Sequence, residues 1–334
     1  MKQRMKILIG YDGSDCAEAA LDDLQRAGLP SVAEALVLSV TEVSLPGPPP
    51  SSYEILEQAR ALDVPADIPR VYAKGSPAVQ EAQSLSERAT ARLRANYPGW
   101  GITAEASVGS PAWELVQKAD GWKPDLIVVG SHGHSAVVQF VLGSVSQRVL
   151  TEARCSVRVA RGRLEEPDTP VRIVVGVDGS PGSEAAVREI ASRSWPLKSE
   201  VRVIAVNEPL TPTLIGRLIP PLAKMVAESN QADRQALDRV LVKSAELLRP
   251  SGLILSTEIC EGNPKRALVE AAEAWGADCI FVGSLGFSNR FERFVLGSVS
   301  AAVAARAHCS VEVVRPRKPI GDNNHERQSE YSRN

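Results

Sequence analysis

The sequence predicts an α/β protein of two tandem domains, each a doubly wound, mostly parallel five-stranded sheet with helices on both faces. Three observations predict this. The heptapeptide Phe140-Val141-Leu142-Gly143-Ser144-Val145-Ser146 returns unchanged as Phe294-Val295-Leu296-Gly297-Ser298-Val299-Ser300. Each copy follows an apolar run ending in glycine, Leu126–Gly130 and Cys279–Gly283, and each half opens on an apolar run that ends in Asp-Gly-Ser, at Asp12 and at Asp178. Finally, 334 residues exceed the roughly 250–300 at which a single core stops growing.

The elements follow in order. Lys6 to Gly10 is a buried strand. Residues 16–27 carry apolar side chains at helical spacing, with Ser14 or Asp15 as the N-cap and Gly28 as the stop. Residues 35–40 are a second buried strand, so the chain opens β-α-β with a right-handed crossover. The proline run at 46–50 requires a surface loop. Residues 53–73 hold helical stretches broken by Pro65 and Pro69. A charged amphipathic helix occupies 77–97. A strand at 102–108 ends in Gly109-Ser110-Pro111, and a helix at 112–119 leads to the strand Leu126–Gly130. Residues 157–159 form a short last strand, closing a first domain at 1–160.

Residues 161–170 are charged, contain proline and lack periodicity, so they read as a linker. A second domain at 171–316 repeats the order, from the strand ending at Val177 to Gly262-Asn263-Pro264. Asp178 follows Asp12 by 166 positions, but Gly262 follows Gly109 by only 153. The first domain therefore carries thirteen extra residues between its second and third strands, where the proline run lies. In the second domain, residues 210–221 and a long helix to about residue 248 fill that interval. The polar tail 317–334 is expected to be disordered.

Composition narrows the class. Apolar residues make up 44% of the chain and the formal net charge is -2, which gives no electrostatic footprint for nucleic acid or an anionic membrane. No apolar run reaches the ~20 residues that span a bilayer. The N-terminus enters a strand without an apolar leader, so the expected location is cytoplasmic. Five cysteines form no CxxC and no Cys/His group at zinc spacing, and Cys155 and Cys309 read as small core residues.

In doubly wound sheets ligands sit outside the carboxyl ends of the strands. Asp12, Val40, Gly109 and Gly130 mark those ends in the first domain, and Asp178, Val206, Gly262 and Gly283 in the second. A strand that runs into small residues and then into Gly-Ser opening a helix is a candidate anion cradle, because helix N-terminal amides point at negative charge. Gly130, Gly133, Gly143 and the amides of Ser144 and Val145 would form the first cradle. The hydroxyls of Ser144 and Ser146 would add donors. Gly283, Gly286, Gly297, Ser298, Val299 and Ser300 correspond in the second. A helix-start turn without a ligand is the alternative for the glycines, and helix capping or a turn role the alternative for both aspartates.

Gly-x-x-Gly, nine residues, then Gly-Ser, together with a strand ending in Asp-Gly-Ser, resembles the universal stress protein family, twice over and across nearly the whole chain. The resemblance implies an adenine-nucleotide α-hydrolase-like fold that binds ATP, alone or with magnesium. It implies that Asp12 accepts from adenine or ribose and that Val40 and the strand ends, including Gly10, Tyr11, Gly176 and Val177, enclose the base. It also implies pairing through the last strands, 157–159 with 311–314, as a pseudo-two-fold pair within the chain, with a homodimer of the whole chain also compatible. The second copy departs from the pattern, with ten residues between Gly286 and Gly297. Arg290 or Arg293 in that loop would compensate with a charged phosphate contact.

Other chemistries lack their signatures. There is no Walker Gly-x-x-x-x-Gly-Lys, no Gly-x-Gly-x-x-Gly after the first strand and no Gly-x-Ser-x-Gly elbow. His132-Gly133-His134 reads as a solvated loop pair rather than a metal site. Phosphoryl transfer needs a positioned base and a charge clamp, and neither is apparent. The leading expectation is a binding protein for stress response or energy status. A slow ATPase and a nucleotide-free interaction module are the rivals.

Overall fold

The computed structural model describes residues 4–42, 77–133, 142–161, 169–209, 220–284 and 296–316. The first half contains β1 (Met5–Gly10), α1 (Asp15–Asp23), β2 (Ala33–Thr41), α2 (Pro77–Asn96), β3 (Gly101–Val108), α3 (Pro111–Trp122), β4 (Leu126–Gly130), α4 (Ser144–Glu152) and β5 (Ser156–Ala160). The second contains β6 (Arg172–Val177), α5 (Pro181–Ser192), β7 (Glu200–Asn207), α6 (Pro220–Leu248), β8 (Ile254–Glu261), α7 (Pro264–Trp275), β9 (Cys279–Gly283), α8 (Ser298–Arg306) and β10 (Ser310–Val314). The expected proline-rich loop, the whole of the 53–73 segment and the tail 317–334 lie outside the described residues.

The two expected five-stranded sheets are one. Ten strands run in the order β3-β2-β1-β4-β5-β10-β9-β6-β7-β8. Every neighbour pair is parallel except β5 with β10, which is antiparallel. The central strands β1, β4, β6 and β9 read as continuous apolar runs because both faces are covered. One apolar core crosses the joint on a single face, joining Val149, Leu150, Val157 and Val159 to Val303, Ala304, Val311 and Val313. The opposite face carries a separate core for each half, under α1 and α2 and under α5 and α6.

Charge is also buried in the joint. Arg158 stands opposite Glu312 in the pairing register. Its Nε donates to Asp23 Oδ2 at 2.5 Å, its Nη2 to Asp23 Oδ1 at 3.0 Å and its Nη1 to Glu312 Oε2 at 3.3 Å. Burial pulls the Arg158 guanidinium down, but Asp23, Cys279 and Glu312 outweigh it and hold the group above its ordinary range. Arg193 on the α5 side donates to the other oxygen of Glu312. Buried ions persist when paired and hydrogen-bonded.

Two arginines clasp the joint reciprocally. The amide of Arg161 donates to Ser310 Oγ at 2.8 Å, and its guanidinium to the carbonyls of Ala304 and Cys309. The amide of Arg315 donates to Ser156 Oγ at 3.1 Å, and its guanidinium to Leu150 and Cys155. Arg161, the first residue of the expected linker, is thus part of the joint. A polar side chain at a chain junction reads as solvated until its partners from the other half are known.

Candidate functional site

β1 and β4 are neighbours, and the chain leaves them toward β2 and β5 on opposite sides. The strand order reverses there, which opens a crevice beyond their carboxyl ends. Side-chain alternation sends Ile7, Ile9 and Tyr11 into the core under α1, and leaves Gly10 and Asp12 with Leu8 on the other face. Asp12 Oδ1 accepts from the Ser14 amide at 3.0 Å and from Ser14 Oγ at 2.6 Å. Ser14 Oγ in turn accepts from Ala17 N at 3.2 Å as the N-cap of α1. Gly13 between them has φ +77°, a left-handed conformation that suits glycine. The turn-role alternative for Asp12 is therefore realised through one oxygen, while Ser14 caps the helix. The other faces the loop after β4, where a Cβ on Gly133 would lie 2.8 Å from Oδ2.

The cradle is assembled around Gly143. Its amide donates to Ser131 O at 2.8 Å, and its carbonyl accepts from Gln147 N at 2.9 Å. As N-cap it offers no side chain to the helix. Among the described residues, the first-turn amides of Ser144, Val145 and Ser146 therefore have no protein acceptor, as expected of an uncapped helix start. The hydroxyls divide. Ser144 is exposed, whereas buried Ser146 donates its hydroxyl inward to Gly130 O at 2.6 Å. The expectation that Ser146 Oγ donates to phosphate is corrected: it is a latch that holds β4 to α4. A Cβ on Gly130 would lie 2.9 Å from Cys16 O, so α1 packs directly on this turn. His132 Nδ1 lies 3.0 Å from Ser131 Oγ. Burial, with Arg161 adding, lowers the His132 pKa and favours the neutral ring.

The second half repeats the arrangement. Gly297 N donates to Ser284 O at 2.6 Å, Ala301 N to Gly297 O at 2.9 Å, and Ser300 Oγ to Gly283 O at 2.6 Å. Ser300 is thus a latch like Ser146, and Ser298 is exposed. Among the described residues, the amides of Ser298, Val299 and Ser300 have no protein acceptor. Asp178 Oδ1 accepts from Ser180 N at 2.9 Å. Gly286, Arg290 and Arg293 lie outside the described residues, and with them the ten-residue spacing.

The remaining expected residues separate into two groups. Val40 and Val206 are partly buried on the crevice face. The amides of Gly109 and Gly262 each add a last rung to the β2–β3 and β7–β8 ladders, donating to Thr41 O and Asn207 O. Four others serve packing. Gly10 and Gly176 make room for Leu115 and Leu268, Tyr11 donates its hydroxyl to Glu18 within the α1 network, and Val177 sits in the core under α5. The period-two alternation that puts Tyr11 with Ile7 and Ile9 is legible in the sequence.

Sequence reasoning also missed Glu114. Its buried carboxylate accepts from Ser107 Oγ at 2.5 Å and crowds Gly109, beside the Val40–Ser107 register pair. In the second half Cys260 pairs with Val206, and nothing lies within 4 Å of a Cβ on Gly262. The two crevices therefore differ at this wall. Among the described residues no group of three His, Cys, Asp or Glu could hold a metal ion, and no helix is long and apolar enough to cross a membrane.

Comparison with known proteins matches residues 3–161 and again 171–315 to the model of the universal stress protein family. The chain belongs to the universal stress protein family. A universal stress protein of Mycobacterium tuberculosis H37Rv is 34% identical over 164 residues, 48% of this chain and 46% of that protein, so the match spans about half of that relative. A single universal stress protein from Thermus aquaticus is 33% identical over 159 residues, 46% of this chain and 97% of its own length. The crystal structure of a universal stress protein from Archaeoglobus fulgidus shares the fold at 20% identity and a TM-score of 0.54, covering 93% of this chain and 96% of its own. Another universal stress protein, 26% identical over 43% of this chain with a TM-score of 0.29, has been solved in complex with cAMP.

Proposed function

We propose that this universal stress protein binds ATP or a related adenine nucleotide in its crevices and works as a stress-response or energy-status binding protein. One observation carries the reading: among the described residues, three first-turn amides of α4 lack protein acceptors at the strand-order reversal, next to the turn whose Gly133 backs onto Asp12. The amides and the exposed Ser144 hydroxyl suit phosphate oxygens. Asp12 suits a hydroxyl or amino donor, because a carboxylate repels phosphate. Val40 supplies an apolar wall for the base. The described residues of the first cradle include no lysine or arginine at the expected phosphate position, so the cradle favours binding over rapid phosphoryl transfer. In the second half, Arg290 is proposed to add the charge that the altered spacing calls for.

Denaturing the gently purified full chain and analysing the released small molecules by mass spectrometry tests the proposal. Adenine nucleotide in near-stoichiometric amount supports it. Its absence, together with no heat of binding on titration with ATP and magnesium, rejects it.

A further inference from the structure

The strands that meet at the joint are nearly the same sequence. β5 reads Ser-Val-Arg-Val-Ala and β10 reads Ser-Val-Glu-Val-Val, so they differ only at the third and fifth positions. Their register pairs Val311 with Val159, Glu312 with Arg158 and Val313 with Val157. The third residues thus face each other, at the centre of the pseudo-two-fold relation. The clasping arginines, the serines they bond and the flanking valines are the same on both sides. Among these, Ser310 is distinguished by a further bond from its hydroxyl to Asp23 Oδ1 at 2.6 Å. Arg158 and Glu312 differ in the sign of their charge.

We propose that this pair makes each inner edge reject a copy of itself and accept only the other, so that the joint forms between a first half and a second half alone. Two β5 edges in the same register would bring Arg158 against Arg158, and two β10 edges would bring Glu312 against Glu312. Neither pair could hydrate, since the side chains are 1% and 0% exposed in the joint. Like charges juxtaposed without water exclude wrong partners. The supporting groups are allotted to match. Asp23 from α1 serves Arg158, and Arg193 beside α5 serves Glu312. Each half thus brings its own neutralising partner for its central ion and leaves one valence for the opposite sign. The occupant of the β5 edge is therefore a β10 edge, from this chain or from another copy of it.

Two full-length single variants test this. Arg158→Glu leaves its second half unaltered, and Glu312→Arg leaves its first half unaltered. Each alone faces like charges at every joint it can form. Mixed, they can form one native joint in trans, between Arg158 of one chain and Glu312 of the other. Native mass spectrometry with chains of different isotopic mass should show a 1:1 dimer in the mixture, at least about tenfold more abundant than any dimer of either variant alone. Equal self-association of the single variants, or a mixture that stays monomeric, overturns the proposal. Should either variant be insoluble alone, the two are co-expressed with different tags. Recovery of each through the tag of the other supports the proposal, and its failure overturns it.

Discussion

Oδ2 of Asp12 lies where a side chain on Gly133 would have to go, with a Cβ there only 2.8 Å away. The end of β1 and the turn after β4 are thereby set against each other across 121 positions of sequence. Replacing Gly133 by alanine should push the loop off the carboxylate. The expected result is a loss of nucleotide affinity of about tenfold, near 1.4 kcal/mol, measured by titration calorimetry. The loss should shrink in an Asp12→Ala background, where the obstacle is gone.

Ser146 and Ser144 should behave oppositely. Ser146→Ala removes the buried donor to Gly130 O, and a stranded buried acceptor costs roughly 1–3 kcal/mol, visible in denaturant unfolding. Ser144→Ala should leave stability within about 0.5 kcal/mol, as surface substitutions do, and weaken nucleotide binding. Ser300→Ala should repeat the Ser146 result, since it latches Gly283 in the same way.

Arg158→Met should be among the costliest single changes in the chain. It leaves Asp23 and Glu312 facing each other in a buried site without their shared cation. Removing one partner of a buried pair costs about 3–5 kcal/mol. Chemical denaturation is the check, and a loss below about 1 kcal/mol would mean that water enters the joint.

Glu184 on α5 pairs with Lys243 across on α6 and with Arg188 one turn further along α5. The hydrogen bond from Lys243 and then that from Arg188 hold its carboxyl below the ordinary 4.5. A depressed carboxyl contributes stability that is present above pH 4.5 and is lost as pH falls through the lower, folded value. Unfolding followed between pH 5 and about pH 2 should therefore show a steeper acid limb in the parent chain than in Glu184→Gln.

Burial pushes the Cys155 thiol up to about 12, and burial followed by Glu258 pushes Cys260 up to about 11. At a pH near 8 each would be thiolate in no more than about one molecule in a thousand. Peptide mapping after brief alkylation of the native protein should find both largely unmodified. Full labelling of Cys155 would show that the joint opens.

What the sequence made legible follows from periodicity. Leu126–Gly130 and Cys279–Gly283 are continuous apolar runs, and both are buried strands. The amphipathic pattern beginning at Pro77 is a helix to Asn96. The edge that joins the halves is where the family resemblance implied it, between the last strands. Less visible were groups whose meaning depends on distant partners. Arg158 and Glu312 read individually as charges in short strands, and only pairing across the joint shows them to be buried. Glu114 looks like one more helix carboxylate until β3 brings Ser107 beside it. The hydroxyl of Ser146 could point outward or inward, and the carbonyl of Gly130 decides.

Because β5 and β10 run in opposite directions while every other neighbouring pair is parallel, the two crevices open on opposite rims of the slab. A compact partner that docks over one mouth leaves the other uncovered. Two readers could attend the same molecule at once without touching, and an elongated one would have to wrap around an outer edge to sense both.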